Sequence, residues 1–275
     1  MKRRGLTLIE LITVISIIAI LTGILLPALH GARERARSLL CRTHLKELNL
    51  SMALYTQDNN SFPFGHMFTT QTIPFGCYVG DANLDPLGWF WFNFIGDYYS
   101  HVYLDKRNSL LRCPSRIVTQ GRTIGNVLAC NYGVNQSICK SDHGYFITKR
   151  PEFFGPRPLK PDEVRHPSRT LLLMDSGYSL ICWSHATTTP LYEPNPAFPP
   201  DNAYIPGLSI NQTRSNIYEG QEYDAIHGRH ANQRINVNFA DGHIENRKAE
   251  DLLVERVDQG EISYDHNRYP LWDPF

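Results

Sequence analysis

Lys2-Arg3-Arg4-Gly5 followed by LTLIELITVISIIAILTGILLPAL, residues 6–29, decides how the rest of this chain is read. As an α-helix, residues 6–29 would run about 36 Å at about 1.5 Å per residue, enough for a hydrocarbon core of about 30 Å. One formal charge, Glu10, interrupts the run. A carboxylate costs roughly 2.5 kcal/mol or more at mid-bilayer and less near the headgroups, so one kept here has a partner or a task. The basic residues ahead of the run predict a cytoplasmic N-terminus, with the body of the protein across the membrane.

Three readings compete for this segment. A cleaved secretory signal also starts basic and apolar, but its core is shorter and ends in a small-x-small site. Ala28-Leu29-His30 is a poor site of that type. A plain single-pass anchor explains everything except Gly5 and Glu10. The third reading takes Arg4-Gly5-Leu6-Thr7-Leu8-Ile9-Glu10-Leu11 as one unit, and it resembles the processing site of type IV pilins and type II secretion pseudopilins. The resemblance implies a cut between Gly5 and Leu6 by a membrane peptidase that also methylates the new N-terminus. Glu10 would then stand fifth in the mature chain. Pro27 falls where such proteins often carry a helix-bending proline, while Leu6 departs from the commoner phenylalanine.

Beyond Pro27 the helix is expected to continue, because a proline bends a membrane helix without having to end it. Cys41, Leu45, Leu48, Met52 and Tyr55 recur at helical spacing and fall on one face. Core packing explains that stripe, and a solvated face explains the basic residues between Arg33 and Arg42. Asp58-Asn59-Asn60-Ser61, with Pro63 beyond, stops the helix after roughly fifty residues. The expected organisation is therefore a basic leader over 1–5, a transmembrane helix over 6–29 and its amphipathic continuation over 30–60. An exported globular domain would occupy 61–275.

Within that domain, residues 62–88 are irregular and punctuated by Gly and Pro. The aromatic block from Trp89 to Tyr103 reads as core or subunit interface, with stacking on sugars as its rival. Asn131-Tyr132-Gly133-Val134-Asn135 predicts a short strand, and Thr170–Met174 a buried one ended by Asp175-Ser176-Gly177. Residues 190–220 read as a long surface excursion. Residues 235–246 predict a β-hairpin, with Asp241-Gly242 as a two-residue turn whose central residues both take positive φ.

Lys+Arg and Asp+Glu balance at 27 each, which gives no support for nucleic-acid binding. The six cysteines include no CxxC pair, so disulfides in an oxidising compartment fit better than a zinc module or redox motif. At least one disulfide is expected; six cysteines allow about 15 complete pairings and the sequence does not choose among them, with Cys41 to Cys113 the first candidate, since Cys41 lies on the buried stripe and Cys113 follows the aromatic segment packed there. The histidines form no HExxH, and no GxSxG elbow is present.

The resemblance extends beyond the leader. Cys41 with Leu45 and Lys46, Tyr55-x-x-Asp58-Asn59, Phe62-Pro63, Cys113-Pro114-Ser115, the 131–135 segment and His166-Pro167-Ser168 leading into Leu172–Asp175 all resemble a large bacterial pilin-like family. That family often closes on a His-x9-Asp-Gly motif. Here His230 and Asp241-Gly242 are separated by one residue more than that. The resemblance implies an α+β fold, pilin-like and loop-rich, with a long N-terminal helix on a small antiparallel sheet. It implies a non-enzymatic subunit of a type II secretion or pilus-like fibre, in the bacterial inner membrane before assembly and periplasmic or on the surface after it. Its partners would be a prepilin peptidase/methyltransferase, other pilin-like subunits and the membrane, with no cofactor. The rival is a membrane-anchored exported enzyme or a metal- or carbohydrate-binding protein. Its candidate residues are His227, His230, Asp175, Asp241 and His243, and the expectation is that His230, Asp241 and His243 shape the hairpin and hold no metal.

Overall fold

The structure is a computed structural model that describes residues 8–67, 89–99, 110–116, 131–142, 151–187, 203–213, 217, 220–258, 261–264 and 271–275. Helix α1 (Leu8–Asn59) is 52 residues long and runs through Pro27 without interruption. It lives in two environments. Up to Leu40 its side chains are exposed, apart from the half-buried Glu34 and Ser38. From Cys41 onward one face is in the core, with Cys41, Leu45, Leu48 and Met52 at 0% exposure. Tyr55, expected on the same stripe, is only half-buried, and Thr56 closes the buried face instead. The helix stops at Asn60, which takes the left-handed conformation at φ 51°.

Five strands make the main sheet: β3 (Tyr132–Asn135), β4 (Leu171–Asp175), β5 (Leu180–Ile181), β6 (Arg234–Phe239) and β7 (Ile244–Lys248). Their order is β5-β3-β4-β6-β7, antiparallel throughout except for the β3–β5 pair. Two small antiparallel ladders accompany it: β1 (His66–Met67) with β2 (Trp89–Phe90), and β8 (Glu255–Asp258) with β9 (Glu261–Tyr264). The short helices α2 (Trp91–Phe94) and α3 (Glu222–His227) complete the named elements.

The sheet is covered on both faces, and that explains β4. A strand with two buried faces has no need to alternate, so the run Leu171–Met174 is apolar without a break. Leu172 and Leu173 belong to the layer that holds the α1 stripe, while Leu171 and Met174 belong to the layer beyond. The same division orders β6. Ile235, Val237 and Phe239 enter the far layer with Trp272, and the α1 side receives asparagine: Asn238 Oδ1 accepts from Asn49 Nδ2 at 2.7 Å. A polar seam thus runs between helix and sheet.

The aromatic block is spent on the interior. Trp89, Phe90, Trp91, Phe92 and Phe94 are buried, and Trp91 Nε1 donates to Ser179 O at 3.0 Å. These rings are not a surface for sugars; Tyr103 lies outside the described residues. Residues 203–208, expected on a surface excursion, are also internal. Tyr204 sits at 0% exposure over Gly177, where any Cβ would fall 2.2 Å from its ring, and its hydroxyl donates to Asp224 at 2.8 Å.

The hairpin forms where expected but through a different turn. Gly242 takes φ 94°, whereas Asp241 stays at negative φ. Gly242 N donates to Phe239 O at 2.9 Å, and Phe239 N donates to His243 O at 3.0 Å. That pattern is a three-residue loop with one left-handed glycine, so the twist of the pair is absorbed by Gly242 alone.

Candidate functional site

Two regions carry the residues of interest: the exposed half of α1 and a buried polar cluster where α1 meets the sheet. Glu10 is exposed in the first turn of α1, while Gly5 and Leu6 lie outside the described residues. α1 is long and apolar enough to cross a membrane, and its most apolar window is 0% buried in the domain. Its hydroxyls also suit lipid. Thr13, Ser16 and Thr22 each donate to a carbonyl of the preceding turn, at 2.8 to 3.0 Å, and present no orphan donor.

The residues proposed from sequence as a possible metal set are divided by the fold. Asp241 and His243 sit together at the exposed hairpin loop, Nδ1 to Oδ1 at 2.5 Å. The His243 ring stacks on Phe239 at 4.2 Å. His227 lies on α3 against Tyr223. His230 goes elsewhere: it is 4% exposed, and its partners are core residues, not the hairpin turn.

Those partners define the buried cluster. Cys41 comes from α1, Cys113 from the 110–116 loop, Asp175 from the end of β4, and His230 from the segment entering β6. Their donor atoms all lie within 4.8 Å of one another, and all four residues are buried. Cys41 Sγ donates to Asp175 Oδ1 at 3.1 Å, and His230 Nε2 stands 3.2 Å from Asp175 Oδ2. Cys113 Sγ is 3.9 Å from His230 Nε2. The expected Cys41–Cys113 disulfide is not formed, although the two residues do meet: both are free thiols, as are Cys139 and Cys182.

A surrounding set of hydrogen bonds fixes each member. Asn236 N donates to Asp175 Oδ2 at 2.7 Å, and the Tyr132 hydroxyl donates to Cys41 Sγ at 3.4 Å. His230 Nδ1 faces Glu34 Oε1 at 3.4 Å, and that oxygen also accepts from Ser115 Oγ at 2.6 Å. Arg229, fully buried, pairs with Asp224 at 3.0 Å and donates to the carbonyls of Asn131 and Ser176, bracing the segments on either side.

The electrostatics are those of a closed charged nest. Burial penalises the Asp175 charge, yet His230 and Arg229 hold its carboxyl below the usual carboxylate range. Burial likewise opposes a charge on His230, and Asp175 then Cys113 outweigh it, raising the imidazole to about 11. Burial pushes the Cys41 thiol well up. For Cys113 burial is overcome by hydrogen bonds from Cys41 and His230, which bring it down to about 7. Four titratable groups in a core demand mutual neutralisation or a cation.

The sequence pairs Cys41 with Cys113 and places Asp175 and His230 in one candidate metal set, but nothing in it joins the two. No short spacing links them: Cys41 and Asp175 are 134 residues apart, and Cys113 and His230 are 117. Glu34 and Tyr132 were missed. The available signal for Glu34 was its placement two helical turns before Cys41, on the same face of α1.

Comparison with known proteins bears on the N-terminus. Residues 1–26 match the prokaryotic N-terminal methylation motif. Over 59 residues the chain is 44% identical to the type IV wide pilus major component PilA4 of Thermus thermophilus. That alignment covers 22% of this chain and 45% of the relative, so the chain spans less than half of the length of the protein it matches. No solved structure matches it. The chain is therefore type IV pilin-like in its motif, and its long helix on antiparallel sheets is consistent with a pilin-like fold.

Proposed function

We propose that this chain is a pilin-like subunit, made as a precursor, cut between Gly5 and Leu6 by a prepilin peptidase and N-methylated at Leu6. The observation that carries the reading is a continuity. The methylation motif over residues 1–26 runs directly into a helix whose first half is apolar and exposed, while its second half is built into the domain. Such a helix serves first as a membrane anchor and then as the packing surface between subunits. Glu10 has a task in that scheme. Its carboxylate pairs with the charged α-amine of a neighbour's Leu6, and in a low dielectric that pair rewards correct register. The assembly is a type II secretion or pilus-like fibre, drawn from an inner membrane with the N-terminus cytoplasmic. The domain then acts as a structural subunit and not as an enzyme.

The test is the N-terminus of the protein purified from its own membrane. Mass spectrometry should find N-methylated Leu6, and Gly5→Leu should leave the precursor uncut. An intact Met1, or a cut near Ala28, would refute the reading.

A further inference from the structure

We propose that Cys41, Cys113, Asp175 and His230 form a structural site for a zinc-class divalent cation that ties α1 to the sheet. The donor set is two sulfurs, one imidazole and one carboxylate, a mixture suited to zinc and unsuited to calcium or magnesium, which take oxygen. The spacing is close. With bonds of about 2.3 Å to sulfur and about 2.0–2.2 Å to nitrogen and oxygen, tetrahedral donors lie about 3.3–3.8 Å from one another. Here the contacts bracket that range, with Cys41 Sγ 3.1 Å from Asp175 Oδ1, Cys113 Sγ 3.9 Å from His230 Nε2, and His230 Nε2 3.2 Å from the other Asp175 oxygen, so the side chains must shift slightly to close on a cation.

The outer partners are arranged as a metal site requires. Glu34 faces Nδ1 of His230, which selects the tautomer that turns Nε2 toward the cluster. Asn236 N holds Asp175 Oδ2 and leaves Oδ1 on the Cys41 side. One contact must yield: Asn236 Nδ2 stands 2.9 Å from His230 Nε2, and the cation takes its place at that nitrogen. Its amide oxygen keeps its bond from Asn246 at 2.8 Å.

All four donor residues are 0–4% exposed, so no position is open for water or substrate, and the site is structural. As the cation enters, the two thiols and the imidazolium release their protons to solvent; no electron moves. The bound state joins four segments distant in the chain, one of them the helix that leaves the domain.

The test uses the full-length chain, purified in detergent without chelator or reductant. Elemental analysis should find close to one zinc per chain, and thiol titration of the denatured protein should find Cys41 and Cys113 reduced. After chelation, added cobalt(II) should give the visible spectrum of a tetrahedral site together with a thiolate-to-cobalt band, in place of the colourless zinc form. Cys113→Ser should abolish zinc retention. Glu34→Gln, which touches no donor sulfur, should weaken zinc binding by about 10–100-fold and keep the cobalt band shape. If Cys113→Ser does not fold, the wild-type cobalt spectrum and Glu34→Gln decide the matter. Three results would overturn the proposal: a Cys41–Cys113 disulfide in metal-free protein, free thiols beside an imidazolium–carboxylate pair with no metal, or zinc that Cys113→Ser retains.

Discussion

Leu45→Ala and Leu25→Ala, made in the same helix, test whether α1 has two separate halves. Leu45 is at 0% exposure and packs in the layer formed by Leu48, Val134 and Leu173. Truncating a fully buried leucine removes its transfer free energy and leaves a cavity, together about 2–5 kcal/mol. That is a large part of a domain stability of about 5–15 kcal/mol. With a urea dependence of about 1–3 kcal/mol per molar, a loss of about 3 kcal/mol lowers the unfolding midpoint by about 1–3 M. Leu25 is 66% exposed on the outer half, so its truncation should change domain stability by no more than about 0.5 kcal/mol. Tryptophan fluorescence is the right assay, because all four tryptophans (Trp89, Trp91, Trp183 and Trp272) lie in the domain and none in α1. Equal falls in midpoint for the two variants would refute the division and show that the outer half packs on the domain.

Glu10→Val should leave membrane insertion intact or improved, since it removes a charge from an apolar run, while incorporation into assemblies falls; normal incorporation beside wild type would remove Glu10 from the pairing role. Gly242→Val forces a β-branched residue to φ 94° and aims its Cβ at Asn49 Oδ1, 3.0 Å away, so it should lower the melting temperature more than His243→Ala. Equal effects would mean the loop adapts. The Arg157 guanidinium, then the Lys160 amide, hold Glu163 down to about 2 from 4.5. A depressed carboxyl contributes stability above its unfolded pKa and loses it as pH falls through the folded one, so the contribution should fade between pH 4.5 and about 2. Unfolding midpoints across that range should fall less for Glu163→Gln than for wild type, and only slightly, because the pair is solvent-screened.

Local physics made much of the fold legible. The α1 stripe, the stop at Asn60, the β4 run and the β6–β7 hairpin each follow from periodicity or turn chemistry within a few residues. What escaped depends on which distant segments meet. Asp241-Gly242 signals a hairpin, but whether one or both residues take positive φ depends on the register closed by His243. Residues 203–208 read as loop because Tyr204 and Leu208 gain their partners from Gly177 and the far layer. The buried cluster is the extreme case, since each donor has an ordinary local explanation and only the tertiary fold puts the four together. Its cysteines drew attention as a disulfide because the pair was legible and its two further neighbours were not.

The seam between α1 and β6 also sets the order in which this protein can fold. Asn49 bonds Asn238 across 189 residues, and Glu34 meets His230 across 196. A helix forms in microseconds from local contacts, but loops of that length close slowly and at high entropic cost. α1 therefore exists long before β6, which closes the polar seam, has emerged. During that interval Asn49 lacks Asn238, and the edge of β4 that β6 will pair is open, the kind of edge that makes a nascent chain stick to its neighbours.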